Sequence, residues 1–216
     1  DQLGYAAFAR YAGTQPINHP ETVSKMQRVV CNLLKNHSFE TGDYWGLNNS
    51  MSYATDSKYL GNRALKATTQ GVTGMHTASQ SVLVERGKTY TFSFYTRKAG
   101  DIDVWAYFAY VSAANQWQFV HAPSMKSQLT ENFSRMQYTF TVPADAASPY
   151  ITVAICAGAA NGVYASAWFD CAQLEEGAVA NRYNMLENGD FSYNSGAHPL
   201  AWQKNSSNTS QDIVNP

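Results

Sequence analysis

The sequence predicts an all-β protein, an antiparallel β-sandwich of jelly-roll type. Apolar and polar residues alternate along several short stretches, which is the period of half-buried strands. Turn-forming residues punctuate those stretches at short intervals. Between residues 32 and 183 no helical period of useful length interrupts the pattern.

Each element follows from its own residues. Glu21–Val30 has the one helical spacing in the chain and lies ahead of the strand region. In Thr89–Arg97, Tyr90, Phe92 and Phe94 share one face, expected to meet the core, while Thr91, Ser93, Tyr95 and Arg97 share the other. Next, Ile102, Val104, Ala106, Phe108 and Tyr110 alternate with Asp103, Trp105, Tyr107 and Ala109. Gln137–Val142 repeats the arrangement with Tyr138 and Phe140. Turns are expected at Arg86-Gly87-Lys88, Ala99-Gly100-Asp101, Pro143-Ala144-Asp145 and Asn161-Gly162. The last of these would join Tyr150–Ala157 and Tyr164–Leu174 in a hairpin, with Cys156 opposite Tyr164 or its neighbours.

Composition narrows the function. Charged residues are 14% of the chain and the formal net charge is −1, so the electrostatic footprint of a nucleic-acid or anionic-membrane binder is missing. Aromatics reach 13% in a chain otherwise rich in neutral polar residues, a mixture suited to extracellular β-proteins. No apolar run approaches a membrane span, and DQLGYAAFAR lacks the basic and apolar regions of a signal peptide, so the chain is expected to be a soluble piece of a longer one. Cys31, Cys156 and Cys171 are odd in number and lack CxxC spacing, which favours buried thiols over a disulfide framework or zinc site.

A repeat sets the domain organisation. Asn32-Leu33-Leu34-Lys35-Asn36-His37-Ser38-Phe39 returns as Asn184-Met185-Leu186-Glu187-Asn188-Gly189-Asp190-Phe191, and Trp45 and Trp202 follow the two copies. One module is therefore expected over residues 32–183. Residues 1–31 would be a leader or linker, and residues 184–216 the start of a second, truncated copy.

Signals for catalysis are missing. The module's acids, Asp43, Asp56, Glu85, Asp101, Asp103, Glu131 and Asp145, fall mostly at turns rather than as a pair flanking a bond to be cut. His19, His37, His76, His121 and His198 stand singly, with no HExxH spacing, and no nucleophile elbow or phosphate loop occurs.

Several stretches together resemble a known family. NLLKNHSFE, GNRALKA, VERGKTYTFSFYTR, the FTVP strand and WFDCAQLEEG are similar to landmarks of jelly-roll carbohydrate-binding modules related to families four, nine and twenty-two. AQLEEGAVANRYNMLENGDF further resembles the version embedded, often in tandem, in large YD-repeat (RHS-type) surface proteins of Gram-positive bacteria. The resemblance implies a galactose-binding-domain-like fold, a polysaccharide or glycan partner, further modules of the same polypeptide, and an extracellular or cell-wall-associated setting. It also implies a structural calcium, Ca2+, held by Glu40 and Asp170 with Ser38 and Asn62; calcium takes six to eight oxygen ligands. Ser192 stands where the second copy would need the carboxylate of Glu40.

Sugar rings stack their C–H faces on exposed aromatics while neighbouring polar groups bond their hydroxyls. Trp105 and Tyr107 share a strand face with Asp103, and Tyr95 shares one with Arg97 on the strand before. Those residues are expected to form one concave binding surface, with Trp117 on a loop tip or the next strand. The competing expectation is a structural or adhesive spacer with no sugar ligand, in which the same rings are buried or scattered.

Overall fold

The computed structural model describes residues 31–71 and 74–186, with the backbone of 194–195 and 198–199. All of the expected leader but Cys31, including the helical stretch Glu21–Val30, and nearly all of the expected second copy lie outside these residues.

The strands are β1 (Gly46–Asn48), β2 (Met51–Ala54), β3 (Ala64–Gln70), β4 (His76–Leu83), β5 (Thr89–Ala99), β6 (Asp103–Val111), β7 (Trp117–His121), β8 (Ser134–Thr141), β9 (Tyr150–Gly158) and β10 (Tyr164–Glu176). They form two five-stranded antiparallel sheets, a front sheet in the order β1-β4-β9-β6-β7 and a back sheet in the order β2-β3-β10-β5-β8. From β3 to β6, and again from β7 to β10, successive strands fall in opposite sheets, so the turns cross the sandwich rather than close hairpins. This is the expected jelly roll.

Two pairings differ from expectation. β9 pairs with β4 and β6, whereas β10 pairs with β3 and β5, so Asn161-Gly162 carries the chain between sheets and no hairpin joins those strands. Cys156 accordingly faces Thr77 and Trp105, not Tyr164. Likewise β5 and β6 occupy different sheets. The turn between them needs Gly100: its φ is +87°, and a Cβ there would come within 2.9 Å of the Ala165 Cβ.

Alternation fills the interior as expected. Tyr90, Phe92 and Phe94 from β5 meet Val104, Ala106 and Phe108 from β6 in one core, joined by Met136, Phe140, Val153, Ile155 and Phe169. Each fully buried ring or aliphatic chain there contributes about 1.5–3 kcal/mol. β10 keeps its phase by a bulge between Asp170 and Gln173, where Cys171 has a φ of +51°. Phe169 is inward before the bulge and Ala172 and Leu174 after it, a one-residue shift that a regular strand cannot make. Cys156 and Cys171 are buried and Cys31 is half-buried.

Candidate functional site

Residues that face away from the core on the front sheet form a recessed surface. Antiparallel register lines them up in rows: Gly46, Ser79, Ala154, Tyr107 and His121 lie side by side, as do Asn48, Thr77, Cys156 and Trp105. A third row holds Ser81, Thr152, Ala109 and Phe119, and Trp117 pairs with Val111 beyond it. Along these rows small and hydroxyl-bearing side chains occupy β4 and β9, up to the exposed Leu83–Tyr150 pair at the end of those strands, and large rings occupy β6 and β7. The result is a low floor beside an aromatic wall.

Burial supports that shape. Ala154 and Cys156 are 0% exposed although they point away from the core, and they form a second apolar cluster with Tyr107, Ala109 and Trp105. Burial pushes the Cys156 thiol up to about 12, so it is a neutral floor group rather than a nucleophile. Trp117 and Phe119, by contrast, are each 57% exposed. The rings touch in sequence: Tyr107 meets Phe119 edge-on at 5.6 Å, and Phe119 lies 6.4 Å from Trp117.

At the other end of the wall, a cavity of about 390 Å³ is lined by Trp105, Asp103, Gly158, Lys126 and the Gly74–Met75 and Ala159–Ala160 segments. Asp103 Oδ1 accepts hydrogen bonds from Ser124 Oγ at 2.8 Å and from the Val104 amide at 2.7 Å. Lys126 is paired with Asp101 at 2.7 Å.

The six residues expected on one surface are divided. Asp103, Trp105, Tyr107 and Trp117 lie on the front sheet, Trp117 as part of β7. Tyr95 and Arg97 lie on the outer side of the back sheet, opposite Arg135 and Trp168, so the expected single surface does not form. The reason is topological: β5 and β6 are neighbours in sequence but not in a sheet.

Tyr95 and Arg97 serve a loop instead. Tyr59 stacks on Tyr95 at 4.0 Å with the planes 12° apart, and the Arg97 guanidinium lies 5.0 Å from the centre of Trp168. Arg97 also donates to Ser57 Oγ, and Trp168 Nε1 donates to Asp56 Oδ1 at 2.8 Å. The segment from Asp56 to Arg63 is thus laid over the back sheet.

The same segment receives the expected calcium ligands. Asp170 Oδ2 accepts the amides of Tyr59 and Leu60 at 2.8 and 3.0 Å, and Oδ1 accepts that of Cys171. Glu40 Oε1 accepts the amides of Asn62 and Arg63, and Oε2 accepts Asn62 Nδ2 at 3.4 Å. Two carboxylates and Asn62 therefore converge on one loop; Ser38 lies two residues before Glu40. Asp170 is completely buried with no cationic partner among the described residues, and desolvation raises its pKa despite three donated amides. The two carboxylates have the oxygen chemistry calcium uses, although hydrogen bonds already take three of the four lone pairs of Glu40, and Asp170 bonds the Cys171 side chain as well as the three amides. Among the described residues, no group of three or more His, Cys, Asp or Glu side chains is gathered as a metal cluster.

Phe119, His121 and the small residues of β4 and β9 were not among the expected site residues. Trp117, Phe119 and His121 alternate in the sequence, and that alternation was the available signal.

The chain belongs to the family described as carbohydrate binding domain (CBM_4_9), which it matches over residues 31–158. It is 29% identical over 188 residues to the tRNA(Glu)-specific nuclease WapA of Bacillus subtilis subsp. natto (strain BEST195), and 28% identical over 187 residues to the tRNA nuclease WapA of Bacillus subtilis strain 168. Each match covers 78% of this chain but only 8% of the relative's length. Among solved structures, a family 16 carbohydrate-binding module superposes with a TM-score of 0.51 at 21% identity, covering 66% of this chain and 99% of that one. The CBM22-1 xylan-binding domain of Paenibacillus barcinonensis Xyn10C superposes with a TM-score of 0.53 at 13% identity, covering 70% and 97%. These structures share the sandwich fold.

Proposed function

We propose that the module is a non-catalytic glycan-binding unit of a large secreted or cell-wall-associated bacterial protein, and that the outer face of the front sheet takes the ligand. The observation that carries this reading is the pair of exposed rings, Trp117 and Phe119, beside an outer cluster in which Trp105 and Tyr107 pack on Ala154 and Cys156. A flat ring set against that wall would meet aromatic faces, while Ser79, Ser81 and Thr152 offer hydroxyls along the floor. Asp103 is the only carboxylate that the described strands present on this face, and glycoside hydrolysis needs a pair. A purely structural spacer would have no need to leave both Trp117 and Phe119 open to solvent.

Glu40, Asp170, Asn62 and Ser38 would hold a structural calcium ion at the loop over the back sheet, away from the glycan. The ion would supply the positive charge that buried Asp170 lacks. Further modules of the same polypeptide, in the YD-repeat setting that the sequence resembles, would place this face at the cell surface.

A glycan array probed with the whole chain, followed by titration with soluble xylan, β-glucan and galactan, tests the reading. Binding that is lost in Trp105→Ala supports it. No response to any neutral glycan at millimolar sugar would favour the spacer.

A further inference from the structure

The indole of Trp105 is held at both ends. Its Nε1–H donates to Nδ1 of His121 at 3.2 Å, across the pairing of β6 with β7. Its other end lies against Gly158 of β9: a Cβ on that glycine would stand 3.3 Å from Trp105 Cη2 and 3.0 Å from the Gly74 carbonyl. The ring therefore bridges three strands of the front sheet and forms one side of the cavity near Asp103.

We propose that His121 is a positioning residue that fixes Trp105 as a stacking platform, an inference that rests on the glycan reading of this face. Two chemical consequences follow. The Nδ1 lone pair accepts only when the imidazole is neutral and carries its proton on Nε2, so the bond selects one tautomer. The indole N–H, already bonded to His121, is then not the group offered to a ligand. Trp105 meets the ligand with its π-face, which suits the C–H face of a pyranose rather than a hydroxyl. The imidazole is itself braced by Tyr107, 5.1 Å between ring centres. Gly158 completes the arrangement by allowing the indole to reach β9.

Two substitutions separate positioning from general stability. His121→Leu removes the acceptor and keeps an apolar side chain of similar bulk. His121→Asn places Oδ1 at the branch where Nδ1 now stands and restores an acceptor. The first readout needs no ligand: the indole ¹⁵N–¹H resonance of Trp105, assigned by its loss in Trp105→Phe, should move upfield in His121→Leu and return in His121→Asn. The second is affinity for soluble xylan, expected to fall roughly fivefold in His121→Leu and to recover to within about twofold in His121→Asn. In the Trp105→Phe background, His121→Leu should add no further loss.

An indole resonance indifferent to residue 121 overturns the proposal, as does an equal affinity loss in His121→Leu and His121→Asn. Wild-type protein that ignores soluble xylan while its indole still answers to residue 121 counts against the functional reading of the face and not against the positioning of the ring.

Discussion

Phe108 of β6 and Phe140 of β8 stack across the interface between the two sheets, their ring centres 4.2 Å apart and their planes 12° from parallel. On the opposite side of β6, Tyr107 and Trp105 belong to the separate outer cluster. One strand thus joins the core to the candidate site, and adjacent residues on it have unrelated roles.

That division is measurable by urea unfolding. Phe108→Ala should cost about 3–5 kcal/mol, the usual cost of deleting a buried ring. Trp105→Ala, which removes a half-buried ring from outside the core, should cost less than half as much. Equal losses would contradict the assignment of the two faces.

The Asp170 carboxylate anchors the loop by accepting the amides of Tyr59 and Leu60. Asp170→Ala removes the acceptor of these two part-buried amides and of the buried Cys171 amide, and should destabilise the fold by about 1–3 kcal/mol. If Asp170 and Glu40 also hold calcium, chelation should lower the melting temperature of the wild type and leave that of Asp170→Ala unchanged. At about 100-fold excess of ion over Kd, the difference corresponds to about 2.7 kcal/mol. Identical wild-type melting curves with and without chelator would remove the ion from the account.

Desolvation raises the Asp170 pKa above that of the unfolded chain. In chelator, the fold therefore favours the protonated carboxyl. Its contribution is fully present below the unfolded value, about 3.9, and is lost as pH rises through the folded value. Asp170→Asn should flatten that part of the stability profile. Urea unfolding across acidic pH in chelator checks this; an unchanged slope in the variant would assign the dependence to another group.

Gly61 has a φ of +70°, and a Cβ there would fall 2.1 Å from Glu40 Oε1. Gly61→Ala should therefore displace the Glu40 carboxylate from the loop and lower stability by about 1–3 kcal/mol, measured by thermal melting. An unaltered melting curve would mean that Glu40 does not grip the loop as described.

Face parity was legible in the sequence and sheet membership was not. Alternation in Thr89–Arg97 placed Tyr90, Phe92 and Phe94 inward, and the same rule placed Trp105 and Tyr107 outward. It could not tell that the outward residues of β5 and β6 look in opposite directions. That depends on which distant strands each one pairs with, and pairing is non-local. Asn161-Gly162 signalled a reversal correctly, but a turn dipeptide does not say whether the chain returns to its own sheet or crosses to the other. Gly158 beneath Trp105 likewise became visible only once β9 was seen to lie beside β6.

The most direct test compares the two sheets in one binding experiment. Soluble neutral glycan identified on the array is titrated into the wild type, Trp105→Ala and Tyr95→Ala, each first shown to unfold cooperatively. The front-sheet assignment predicts at least about a tenfold loss of affinity in Trp105→Ala, or about 1.4 kcal/mol, and wild-type affinity in Tyr95→Ala. Unchanged binding in Trp105→Ala, or a loss confined to Tyr95→Ala, would contradict it.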